Sequence, residues 1–152
     1  MSNYTDYERE IDYCKAAIKN YNSEINSNNS LIKKLEEEYE KHCELKVAVN
    51  KVGNKLENFE NGRNSKCNEL STIANVTFAK QYTDSMISIK NGVHRRNAYN
   101  CIDSNIEDLK RKIRDLVDRI DDLKDENRRY YNKIEDNEYR IRQLRNLQKN
   151  CN

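Results

Sequence analysis

Two histidines, five cysteines and a dense mixture of carboxylates and cations are the groups in this chain with chemical potential. His42 and His94 stand in unlike contexts. His42 falls where a helical core position is expected, which suits a packed or partner-facing imidazole. His94 opens the small basic run His94-Arg95-Arg96, which reads as a solvated face. The cysteines (Cys14, Cys43, Cys67, Cys101, Cys151) are widely scattered and none forms a C-x-x-C pair, so neither zinc nor thiol-disulfide chemistry is indicated. Reduced thiols acting as small apolar groups are the expectation. A chain folded back near residue 72 would also bring Cys43 towards Cys101, which makes a disulfide there the alternative. Carboxylates alternate with cations, as in Glu107-Asp108-Leu109-Lys110-Arg111-Lys112. That pattern builds ion pairs along a helix worth about 0.2–0.5 kcal/mol each and no paired acid and base. With no P-loop and no G-x-G-x-x-G, the expectation is a non-enzymatic protein with no catalytic residues, metal or cofactor.

Other ligands are constrained by charge and hydropathy. The 152 residues carry 28 Lys and Arg against 26 Asp and Glu, a net charge of +2. The cations near the end (Arg140, Arg142, Arg145, Lys149) are interrupted by acids up to Glu138, and a helix C-terminus favours cations for its own reasons. Nucleic acid is therefore not the expected partner. No apolar run approaches the roughly 18 residues needed to span a bilayer. The start, Met1-Ser2-Asn3-Tyr4-Thr5-Asp6, lacks a basic region and an apolar segment, so no cleaved signal peptide is expected. A cytoplasmic protein, or one exported without such a signal, is the expectation.

The elements holding these groups are legible from one pattern. A stripe with spacing 3, 4, 3, 4 runs through Ile102, Ile106, Leu109, Ile113, Leu116, Ile120, Leu123, Asn127, Tyr130, Ile134, Asn137, Ile141 and Leu144, all aliphatic or aromatic except the two asparagines. The first half does the same through Tyr4, Tyr7, Ile11, Cys14, Ile18, Tyr21, Ile25, Asn28, Ile32, Leu35 and Tyr39. That stripe then slips by three residues and continues as Leu45, Val49, Val52, Leu56 and Phe59, a stammer that overwinds a coiled coil. Pro is absent and Gly occurs three times, which suits long helices. Seams of this kind need a partner helix. The seam residues Asn28 and Asn127 either penalise wrong registers, because a buried amide needs a partner, or fall there by chance in an Asn-rich sequence.

Boundaries follow from local chemistry. Thr5-Asp6-Tyr7-Glu8 fits a capping box that starts a first helix, spanning about 5–60. Asn61-Gly62-Arg63-Asn64-Ser65 reads as its end, because Asn and Gly tolerate the left-handed conformation. Residues 61–76 then form a short helical tip. A second helix covers 77–149, either continuous or broken near 91–103, where Asn91-Gly92 and a fresh capping box at Ser104-Asn105-Ile106-Glu107 occur. The expected fold is a single all-α antiparallel helical hairpin.

With that organisation in view, the chain resembles the YwqH-like family, small helical proteins that accompany LXG toxins in type VII secretion. The resemblance covers nearly the whole length and is most specific at Cys101-Ile102-Asp103-Ser104-Asn105-Ile106-Glu107-Asp108-Leu109-Lys110-Arg111-Lys112-Ile113. Where the WXG superfamily carries Trp-x-Gly at its bend, the similar stretch here is Ile73-Ala74-Asn75, followed by Phe78 and Tyr82. The resemblance implies a bend at Ile73, Asn75 and Phe78, and a secretion mark of the form Tyr-x-x-x-Asp/Glu. Tyr131 to Glu135 matches on the last helix, as do Tyr99 to Asp103 and Tyr4 to Glu8. It further implies a targeting factor or chaperone for an LXG-type effector or another small helical protein. Ile106, Leu109, Ile113, Leu116, Ile120 and Leu123 are the expected partner-binding residues. A homodimer acting as a scaffold or regulator is the alternative.

Overall fold

The computed structural model describes residues 2–72, 77–90 and 92–150. Three helices account for them: α1 (Ser2–Ser71), α2 (Thr77–Lys90) and α3 (Val93–Asn150). The fold is an all-α helical hairpin. It divides into two compact units, one of Met1–Tyr39 with Asp115–Asn152, the other of Glu40–Arg114.

In the first unit the apolar seams of α1 and α3 bury one another. Ile11, Cys14, Ile141 and Leu144 form one core cluster, with Tyr7 and Ile18 against it. Leu144 is fully enclosed. A second cluster holds Ile32, Leu35 and Ile120, with Leu31, Leu116 and Leu123 against it. Between them lies a polar layer. Asn28 Nδ2 donates to Asn127 Oδ1 at 3.0 Å and to Glu126 Oε2 at 3.1 Å. Asn127 Nδ2 donates to Asn29 Oδ1 at 2.9 Å. Both seam asparagines thus find their partners in each other and their neighbours. Tyr21 stacks on Tyr130 at 5.6 Å beside this layer, and Lys133 stands over both rings. Arg140 to Glu10 and Lys124 to Glu36 bridge the two helices at the surface, with low residue numbers meeting high ones, so the pair is antiparallel.

In the second unit α1 and α3 again run antiparallel. Glu60 faces Arg95, and a methyl group added at Gly53 would lie 3.5 Å from Ile102 Cγ2. The seam here departs from the sequence-based expectation. Apart from Cys43 and Asn64, the less exposed positions of α1 in this unit are His42, Lys46, Val49, Gly53, Leu56, Glu60, Arg63, Cys67 and Leu70. Counted from Leu35 and Tyr39, they keep the 3, 4 spacing with no slip. The stammer expected after Tyr39 is absent. The pairing geometry continues in register while the apolar side chains move off it.

Other expectations are also corrected. Helix α1 begins at Ser2, not at a capping box on Thr5, and passes straight through 61–65 to Ser71. No described glycine has positive φ, so Gly62 does not end the helix. Interior Gly and Asn cost about 0.5–1 kcal/mol each against Ala. That cost is offset by the packing of Glu60 and Cys67, both buried on either side of the weak stretch. The helix ends instead where Thr72 N–H bonds back to Asn68 and Glu69 carbonyls. Helix α3 starts at Val93 and runs through Ser104–Glu107 without interruption, because Ile102, Ile106 and Leu109 keep the seam occupied across it. Cys43 and Cys101 are free thiols.

Candidate interaction surface

Labelling the α1–α3 seam a and d makes the second unit's surface readable. In α1 the a positions Lys46, Gly53 and Glu60 are not apolar, whereas the g positions beside them are Leu45, Val52 and Phe59. These three are 51%, 56% and 66% exposed, far more than seam residues such as Ile32 at 7%. With about 3.5 residues per turn, moving the large side chains from a to g turns the apolar face about 50° away from α3. Helices with apolar a and d positions alone form two-stranded seams, and those apolar at g as well belong to bundles. The first unit is mainly of the former kind, since its α1 g positions are Glu10, Glu24 and Glu38 besides Ala17 and Leu31. In the second unit the apolar face of α1 instead runs along d and g, through Val49 and Leu56 with Leu45, Val52 and Phe59, and its g side is uncovered.

The opposite side of this unit is polar. Glu60 is buried at an a position and accepts hydrogen bonds from Arg95 Nε at 2.6 Å and Tyr99 Oη at 2.9 Å. Arg95 also stands 5.0 Å over the Tyr99 ring. The Arg95 hydrogen bond holds the Glu60 carboxyl below its ordinary value, against the opposing effect of burial. Burial, aided by the bond to Glu60, holds the Tyr99 phenol above its own. An ionised carboxylate locked to a guanidinium is a weak base, and a phenol held protonated is a weak nucleophile. The three line an open cleft of about 760 Å³ with Glu57, Asn64 and Arg96. The cluster acts as a clamp that fixes α1 against α3, an arrangement without the geometry of a paired acid and base.

The expected partner-binding residues are mostly engaged within the chain. Leu109 and Ile120 are buried, and Leu116 and Leu123 pack on the Ile32–Leu35–Ile120 cluster. Ile106 and Ile113 are half-buried on the same seam. Tyr131, at 55% exposure, and Glu135 are both open on α3. Of the expected bend, Ile73 and Asn75 lie outside the described residues, and for Phe78 the backbone alone is described, as part of α2. Among the described residues no cluster of His, Cys, Asp or Glu is arranged to hold a metal ion. No described helix is long and apolar enough to cross a membrane. The Glu60–Arg95–Tyr99 clamp was missed by sequence reasoning, though counting on from Tyr39 without a slip would have placed Glu60 in the seam, and counting back from Ile102 would have placed Tyr99 there. No family model, curated protein or solved structure matches this chain.

Proposed function

We propose that this protein is a non-enzymatic helical adaptor that holds a partner helix along Leu45, Val52 and Phe59. The observation that carries this reading is the exposure of three large apolar side chains at successive g positions of one helix. Docking a helix there removes apolar surface from water, and about half of each side chain's 1.5–3 kcal/mol burial value remains to be gained. By its resemblance to LXG-associated proteins, the client is an LXG-type effector and the role is targeting to type VII secretion. The exposed pair Tyr131 and Glu135, one turn apart, supports an accessible secretion mark on α3. In that role the protein acts in the cytoplasm or leaves with its client.

The test is capture of the co-expressed effector by tagged protein. Val52→Asp should abolish capture while the helical circular-dichroism signal stays at the wild-type level. Undiminished capture by this variant would overturn the docking face. Tyr131→Ala should leave capture intact and cut export; equal export would remove the secretion role.

A further inference from the structure

We infer that the Leu45–Phe59 face is covered, in the client-free protein, by the same face of a second copy lying antiparallel to it. This rests on the reading of that face as an interaction surface and is independent of any client's identity. The g positions alternate with the c positions of α1 to give Leu45, Ala48, Val52, Lys55, Phe59 and Gly62, again spaced 3, 4, 3, 4, 3. All six are exposed. This second seam lies about 100° around α1 from the α3 seam, one heptad position at 3.5 residues per turn, close to the corner angle of a four-helix bundle.

The seam is complementary to itself. A two-fold axis between Gly53 and Asn54 sets Leu45 over the partner copy's Gly62, Phe59 over its Ala48, and Val52 along the stem of its Lys55. Each of the two largest apolar side chains meets one of the two smallest residues, which is how closely approaching helices interdigitate. The flanks agree. Val49 comes beside Leu56 of the other copy, while Lys51 meets Asn58 and Glu44 meets Ser65, with no like charges opposed along these edges. A parallel pairing places Phe59 on Phe59 and Ala48 on Ala48, leaving a bulge beside a void. A two-fold contact using one patch on both copies closes after two subunits, so a dimer results.

The seam is short, at about 25 Å along the helix, so the dimer belongs to the small, micromolar class of interface. Wild-type protein at about 100 µM should sediment as a dimer, a loading well above a micromolar dissociation constant. Phe59→Ala and Ala48→Glu should each weaken association at least about tenfold without changing helicity, since both sites are exposed. Cross-linking fixes the direction. With Cys43, Cys101 and Cys151 replaced by Ser, mixing Ala48→Cys protein with Phe59→Cys protein should give an oxidised dimer. Neither alone should do so, because equivalent sites lie about 16 Å apart, beyond disulfide reach. A monomer at 100 µM, a dimer indifferent to both variants, or self-cross-linking of Ala48→Cys alone would each overturn the proposal. Wild-type protein that stays monomeric yet captures the effector would leave the adaptor reading standing and remove only the dimer. A dimer that captures nothing would do the reverse.

Discussion

Replacing Asn127 by Leu should leave the first unit about as stable as before, or slightly more so, while loosening its pairing specificity. Asn127 is buried at an a position and makes two neutral hydrogen bonds, to Asn28 and Asn29. Losing them costs about 1 kcal/mol each. A leucine in the same place gains about 1.5–3 kcal/mol from burial. The groups left behind escape the full penalty, since Asn28 keeps its bond to Glu126 and Asn29 is exposed to water. The net change therefore lies between about 0.5 kcal/mol against the variant and about 1 kcal/mol in its favour. Urea unfolding followed by circular dichroism reads this as a nearly unchanged or raised midpoint at constant slope. Light scattering should meanwhile show a broader set of oligomers, because the amide layer no longer penalises other registers. A loss of more than about 2 kcal/mol would refute this reasoning, showing that the layer is held for stability and that its neighbours cannot be rehydrated.

Three further outcomes follow from single positions. Gly62→Ala should raise stability by about 0.5–1 kcal/mol, since Gly62 is helical with open space around its α-carbon; destabilisation in thermal melts would mean a helix end lies there after all. Glu60→Gln should lower the melting temperature at neutral pH. Because the Glu60 carboxyl sits below its ordinary value of 4.5, its contribution is complete above that pH and fades as pH falls through the folded-state value; a wild-type-to-variant gap persisting undiminished in strong acid would contradict the clamp. Leu144→Ala, at the fully buried position of the first cluster, should cost about 3 kcal/mol, read as a melting temperature about 6–12 °C lower; a shift under about 2 °C would show that the cluster collapses around the lost side chain.

The helical hairpin was legible because the 3, 4 spacing is sustained and nothing in the chain forbids helix. The clusters around Ile11, Ile32, Ile120 and Leu144 follow directly from that spacing, as does the amide layer at Asn28 and Asn127. The reading failed where local and tertiary preferences part. Asn61-Gly62 looks like a helix end by propensity, yet propensity is worth about 1 kcal/mol per residue and the flanking Glu60 and Cys67 contacts outweigh it. Apolar pattern alone followed Leu45, Val52 and Phe59 as the seam. It could not show that α3 would keep pairing with the register set by Leu35, leaving those residues outside. Glu60 was invisible for the same reason: a carboxylate at an a position looks like surface until Arg95 and Tyr99 are brought against it.

The two units also differ in how firmly each should hold its own pairing. The α1 seam of the first is filled by Ile11, Cys14, Ile25, Ile32 and Leu35, all buried. In the second, three consecutive a positions are Lys46, Gly53 and Glu60, and the valine and phenylalanine that could have filled the interior are turned outward. Fewer buried apolar contacts mean a lower free energy of local opening. Amide hydrogens of α1 between residues 46 and 60 should therefore exchange faster than those between 11 and 35 in dilute protein. Concentrating the protein, or adding a helical client, should slow the first set alone, because covering Leu45, Val52 and Phe59 supplies the burial that the α3 seam lacks. Exchange from 46–60 as slow as from 11–35 at every concentration would show that the polar seam is sufficient on its own. The outward apolar face would then have no stabilising role to fulfil.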